Sequence, residues 1–263
     1  MSAAAAAYLL TRRWRRRLAA ASDAVQTGLW LGVLGRDALA AVDETFYREQ
    51  ALYASEAHNL RGLYPWEEEA IGAYFGGCRS LLLVGAGGGR EVLPLVSRGY
   101  RVEAYECNPV LATAATALLA REGCAAAVRP LPRDQAPPPG ERRDGVVVGW
   151  GAYMLIPGRE RRVRFLAALR GCVDESAPLL LSFWTRREGR TRDRIVPAAA
   201  APLRWIARRE PVEPGDDLAP NFVHRFTEAE VAAEMAEGGF SLLRYRVEGR
   251  EPHTSGWAVG VAA

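Results

Sequence analysis

From Ser80 onward, short apolar runs alternate with helical stretches. That alternation predicts an α/β fold: a doubly wound, mainly parallel sheet with helices on both faces. A run of glycines follows the first apolar run directly, where such a sheet turns from strand to helix. Ahead of the sheet, the chain reads as helical to about residue 75. Two regions are therefore expected, a helical N-terminal extension or lid over residues 1–75 and the sheet domain over residues 76–263.

In the extension, Leu10, Trp14, Leu18, Ala21 and Val25 recur at helical spacing while Arg12, Arg13, Arg15, Arg16 and Arg17 take the other faces. Such a helix can touch anionic lipid or nucleic acid. The expectation is instead that the stripe docks on the protein's own body, or on a partner subunit to form a homodimer, and leaves the arginines solvated. A second helix is expected over Arg36–Ala57, and a third opens at YPWEEEAIGAYF, with Pro65 at its start and acids in its first turn. Strands are expected near Ser80–Val84, Arg101–Tyr105, Ala125–Arg129, Gly145–Gly149, Pro178–Phe183, Ser241–Val247 and Gly256–Val261. Helices fall near Arg90–Ser97, Val110–Glu122, Arg159–Val173 and Thr227–Gly238, the last with a capping box from Thr227 to Glu230. The last two strands have too little chain between them for a parallel crossover, so they should pair antiparallel. PRDQAPPPGERRD and EPVEPGDDLAPN read as proline-rich loops.

Composition narrows the partners. The formal charge is +3, and all 34 basic residues are Arg, a total replacement of Lys that reads as compositional bias rather than as a nucleic-acid surface. No nucleic-acid partner is expected. Cys78, Cys107, Cys124 and Cys172 form no C-x-x-C pair, so neither a zinc site nor a disulfide framework is expected. No apolar run reaches membrane-spanning length, and the N-terminus lacks the order of a secretory signal. A soluble cytoplasmic protein without stable membrane insertion follows, and no metal is expected.

The loop carries Gly85, Gly87, Gly88 and Gly89, where side chains would obstruct a ligand approaching the backbone and the following helix. Glu106 closes the second strand, where a carboxylate can accept hydrogen bonds from both hydroxyls of a ribose. Two ligand classes suit this pair, the nicotinamide or flavin dinucleotides and S-adenosylmethionine. A dinucleotide loop needs G-x-G-x-x-G, and both registers fail, because the third glycine position holds Arg90 or Val92.

The spacing G-x-G-x-G at Gly85, Gly87 and Gly89, followed by YECNP after the second strand, resembles the class I S-adenosylmethionine-dependent methyltransferases. So do DGVVVGWGAYMLIPGRERRVRFLAALRGCVDESAPLLLSFW and HRFTEAEVAAEMAEGGFSLLRY, in the family's order, and the likeness extends from Leu81 to the C-terminus. The resemblance implies a seven-stranded sheet with an antiparallel last strand and S-adenosylmethionine as cofactor. It implies Gly85, Gly87 and Gly89 near the methionine part, Glu106 at the ribose, Cys107 and Asn108 at the adenosine edge and Asp134 at the adenine amino group. Asp134 can equally cap its loop or pair with Arg133. One departure concerns the loop after the fourth strand, where the family often carries His; AYMLIP places Leu155 there.

Methyl transfer from a sulfonium is an in-line displacement that depends mostly on alignment, and a base helps only where the acceptor must lose a proton. The histidines are His58, His224 and His253. His58 lies with Tyr53 and Asn59 in the stretch expected to cover the cofactor, so Tyr53 and His58 are catalytic candidates, although His58 and Asn59 can also cap a helix or fix the turn before Gly62. His224 is a further catalytic candidate, or a structural residue just before the capping box. Trp150 and Tyr153 follow the fourth strand and either flank the methyl group or fill core; Trp150 is counted with the cofactor site. The expected function is methyl transfer to a small molecule or peptide. Its rivals are a non-catalytic S-adenosylmethionine-binding protein and an NAD(P)-linked oxidoreductase.

Overall fold

The computed structural model describes residues 1–138, 140–249 and 254–263; His253 lies outside them. Five helices come first: α1 (Ala3–Val33), α2 (Arg36–Glu49), α3 (Ala51–Ala54), α4 (Glu56–Asn59) and α5 (Pro65–Tyr74). The sheet domain follows as β1 (Ser80–Val84), α6 (Val92–Ser97), β2 (Arg101–Glu106), α7 (Pro109–Arg121), β3 (Val128–Pro130) and β4 (Gly145–Val148). It continues through α8 (Arg159–Arg170), β5 (Pro178–Thr185), α9 (Thr191–Ile206), β6 (Asp216–Leu218), β7 (Phe222–Phe226), α10 (Glu228–Glu237), β8 (Phe240–Glu248) and β9 (Ser255–Ala262).

Strands β3, β2, β1, β4 and β5 pair in parallel in that order, β9 joins β5 antiparallel, and β8 joins β9 antiparallel. This is the doubly wound, mainly parallel sheet with an antiparallel final strand. Side-chain alternation divides its core between two faces. Leu82 and Val84 of β1 pack with Phe165 and Leu169 of α8 and Val231 and Met235 of α10. Leu81 and Leu83 face the other way, against Ala70 and Ile71 of α5 and Ala115 and Leu119 of α7. Helix α5 therefore belongs to the core of the sheet. It is tied further by Glu67, whose carboxylate accepts from the Arg90 guanidinium at 2.6 and 2.7 Å with both side chains buried.

The helix expected over Arg36–Ala57 is broken at Gln50 and Ser55 into α2, α3 and α4, and two other segments depart from the sequence reading. Thr191–Ile206 is a helix although it contains Pro197 and Pro202. The stretch read as a loop and the approach to α10 form a hairpin, with Asp216 opposite His224 and Leu218 opposite Phe222. Strand β7 of that hairpin adds in parallel to the carboxyl end of β5 at Trp184 and Thr185. Both of these segments have a tertiary cause. Helix α9 is supported along its length by α1, and together with α2 and the hairpin these elements enclose a third core of Ala24, Leu31, Leu39, Val196, Ala200 and Phe222.

The docking face of α1 differs from the one expected. Ala24, Thr27, Gly28, Leu31 and Gly32 are buried on α9, whereas Leu10, Trp14, Leu18 and Val25 are exposed and Ala21 is half-buried. The reason is steric. A Cβ added at Gly28 would lie 2.4 Å from the Val196 carbonyl oxygen, so the helices approach only through a face of small residues. Among the described residues, no helix is long and apolar enough to cross a membrane.

Candidate functional site

A cleft opens at the carboxyl ends of β1, β2 and β4, where the chain must turn from strand to helix three times. Gly85 and Gly87 form its floor and Glu106 and Cys107 one side. Arg133 and Asp134 reach it from the loop after β3, Trp150, Leu155 and Ile156 from the loop after β4, and Phe165 from α8. Tyr47 of α2 and Tyr53 of α3 form the roof.

The floor and the acid are directly joined. Glu106 Oε2 accepts from the Gly87 N–H at 2.8 Å and Oε1 from the Asn108 N–H at 2.8 Å, so the carboxylate holds the glycine loop to the end of β2. Gly87 has φ +53°, in the left-handed region, and a Cβ built there meets nothing within 4 Å. A side chain there would enter open cleft from a strained backbone. Gly89 and Asn108 do not line the cleft. Gly89 faces Ala115, letting α7 approach, and Asn108 Oδ1 caps α7 by accepting from Val110 at 3.0 Å and Leu111 at 3.2 Å. Burial, reinforced by Glu106, pushes the Cys107 thiol up to about 12, so it is no nucleophile near neutral pH.

The roof is held at several points. Asp43, four residues before Tyr47, forms an ion pair with Arg133 and accepts from Asn221 Nδ2 at 2.5 Å, tying α2 to the β3 loop and to the β6–β7 hairpin. The rings of Tyr47 and Tyr53 meet edge to face with centroids 5.1 Å apart, and burial raises the Tyr47 phenol far above its usual range. Asn59 donates to the Tyr53 carbonyl at 3.0 Å and lies directly on the glycine loop: a Cβ at Gly88 would sit 2.2 Å from its Nδ2 and 2.4 Å from the Tyr53 carbonyl oxygen. His58 packs edge to face on Tyr53 at 5.8 Å without lining the cleft. Burial, with Arg90 and Arg61 nearby, holds its imidazole below the usual range.

His224 is placed elsewhere. Its ring is buried and its Nδ1 lies 2.7 Å from Asp216 Oδ1, within a network in which Arg162 donates to Glu213 at 2.8 Å and to Glu234 at 2.7 Å. Tyr153 belongs to the same network, donating to Glu234 at 2.5 Å. The catalytic assignment of His224 is therefore corrected, because a ring held within the hairpin does not reach the cleft. Glu213, Asp216 and His224 bring potential ligand atoms within 4.8 Å of one another, but Arg162 already supplies the positive charge there. Asp134 does line the cleft and takes Arg36, at 3.4 Å, as its ionic partner rather than Arg133. The sequence reading passed over Tyr47, Arg133 and Phe165, whose place depends on where α2, the β3 loop and α8 converge; no local motif marks them.

No family model matches the chain, and no curated protein matches it significantly. Solved structures share its fold. A SAM-dependent methyltransferase from Methanosarcina mazei is 20% identical, covers 76% of this chain and 98% of its own, and superposes with a TM-score of 0.60. The 1,6-didemethyltoxoflavin-N1-methyltransferase of Burkholderia thailandensis, solved with that compound and S-adenosylhomocysteine, is 16% identical over 87% of this chain and 91% of its own, with a TM-score of 0.60. The CcbJ methyltransferase of Streptomyces caelestis is 14% identical over 84% and 100% of the two chains, at 0.60. The fold is that of the S-adenosylmethionine-dependent methyltransferases.

Proposed function

We propose that the protein transfers a methyl group from S-adenosylmethionine to a small molecule. The observation that carries this reading is the bond between Glu106 and Gly87, which brings the acid of the second strand and the glycine loop together on one roofed cleft. The residues present fit the cofactor. Gly85 and Gly87 leave backbone open for the methionine part, the Glu106 carboxylate is placed for the ribose hydroxyls, and Cys107 and Asp134 stand toward the adenine. Leu131, Ile156 and Phe165 supply the apolar faces against which an adenine packs. Trp150 stands at the far wall, toward the methyl group.

When bound, the cofactor supplies an electrophilic methyl carbon on a sulfonium; the acceptor's lone pair forms the new bond while the carbon–sulfur pair stays on sulfur. What this chain contributes is alignment and exclusion of water beneath Tyr47 and Tyr53. His58 acts through Tyr53, as a positioning residue rather than a catalytic one. A small acceptor is favoured because the roof narrows access to the floor, and the fold is shared with enzymes named for toxoflavin and amino-pentose substrates. Four free cysteines suit a reducing compartment, and we place the protein in the cytoplasm.

The test is calorimetric titration with S-adenosylhomocysteine and with NAD, followed by an assay for S-adenosylhomocysteine formation over a panel of small acceptors. Binding of the first and not of the second is expected. Preference for NAD refutes the cofactor, and binding without turnover of any acceptor favours a binding protein.

A further inference from the structure

Among the described residues, the outer face of α1 has no role in the cleft and no partner in the fold. Residues 11–20 are all exposed, and the helix docks on α9 only from Ala24 onward. Beside the docked face runs an apolar line of Leu10, Trp14, Leu18, Val25, Leu29 and Val33, each 42–65% exposed. At 1.5 Å per residue it is about 35 Å long. Arg12, Arg13, Arg15, Arg16 and Arg17 are also exposed; Arg13, Arg15 and Arg17 fall beside the line on a helical projection, and Arg17 lies over the Trp14 ring at 5.9 Å. Asp23 is the one acid between Met1 and Gly35, and it already pairs with Arg192 at 2.6 Å.

We infer that α1 is a peripheral membrane contact, lying flat on an anionic lipid surface with Trp14, Leu10 and Leu18 at the acyl boundary and the flanking arginines at the headgroups. Charge decides among the occupants. A second copy of α1, parallel or antiparallel, would bring its own arginines with no acid to meet them, whereas an anionic bilayer supplies both apolar depth and counter-charge. The contact is independent of the reaction proposed above.

Flotation of the full-length protein with phosphatidylcholine vesicles containing phosphatidylglycerol, against vesicles of phosphatidylcholine alone, tests the inference. Binding to the anionic vesicles only is expected. Replacing Arg13, Arg15 and Arg17 by Gln should weaken it about a hundredfold, at about 1 kcal/mol for each arginine near an anionic surface. Trp14→Glu with Leu18→Glu should abolish it; because both side chains are exposed, the melting temperature should not move. Equal binding to neutral vesicles, no binding to either, or anionic binding retained by the Trp14→Glu, Leu18→Glu protein overturns the inference. So does a dimer in sedimentation that the same two substitutions dissociate, or binding to duplex DNA in place of vesicles.

Discussion

Glu106 carries two duties, and substitutions separate them. Its carboxylate fixes Gly87 and Asn108 through backbone N–H groups, and in the proposed reading it also accepts from the ribose. Each charge-assisted hydrogen bond is worth roughly 1.5–3 kcal/mol. Glu106→Ala should therefore weaken S-adenosylhomocysteine binding in calorimetry by at least about tenfold, and Glu106→Gln by less; unchanged affinity in both removes Glu106 from the site. A second residue-scale expectation concerns Glu91, whose carboxyl burial pushes up to about 7 although Arg90 lies 2.5 Å away. Its folded value exceeds its unfolded one, so the folded state retains a proton that the unfolded state loses. Its contribution to stability is complete below about pH 4.5 and declines as pH rises toward 7. In melting curves at a series of pH values, Glu91→Gln should gain on the wild type across that window. His58 has the opposite sign. Its depressed value makes folding favour the neutral ring, so its contribution is present above about pH 6.5 and is lost as pH falls.

At the scale of elements, the roof and the glycine loop are in contact at Gly88. Gly88→Ala places a methyl group where Asn59 and the Tyr53 carbonyl now sit, so the roof must lift while the sheet beneath it is untouched. Cofactor affinity should fall and tryptic cleavage at Arg48 or Arg61 should speed up, with far-ultraviolet circular dichroism unchanged. Cleavage and affinity both at wild-type levels would mean that the roof does not rest on the loop. The α1–α9 contact gives a second element-scale expectation. Gly28→Ala drives a Cβ toward the Val196 carbonyl, and overpacking of this kind costs about 1–3 kcal/mol. The melting temperature should drop by several degrees. The strands and most helices of the sheet domain were legible because each is a local pattern, such as the apolar run of β1 or the Thr227–Glu230 capping box. Helix α9 was not, because two prolines argue against a helix that only its packing on α1 explains.

For the whole molecule, the helical extension and the sheet domain pack together in shared cores. A chain beginning at Leu63 retains α5 and its Glu67–Arg90 pair but uncovers Val196, Ala200 and Phe222 and takes Asp43 from Arg133 and Asn221. It should melt well below the full chain and lose cofactor binding. A chain beginning at Gly72 also leaves Arg90 buried without Glu67, a loss of about 3–5 kcal/mol for a broken buried pair, and should not fold stably. Scanning calorimetry of the two distinguishes the contribution of α5 from that of the roof.

By itself the sequence determined the parallel sheet, its antiparallel final strand and the placing of Gly85, Gly87 and Glu106 at strand ends, since these follow from hydrophobic period, glycine spacing and chain order. Tertiary structure decided which side chains face the cleft. It brought in Tyr47, Arg133 and Phe165, turned Gly89 and Asn108 to the packing and capping of α7, and enclosed His224 in a hairpin with Asp216. It also decided which face of α1 meets the body of the protein: Ala24, Thr27, Gly28, Leu31 and Gly32 pack there, and the apolar stripe does not. The physical reason is common to these cases. Period and spacing report the local conformation of the chain, whereas the facing of a side chain depends on the distance of closest approach between elements remote in sequence.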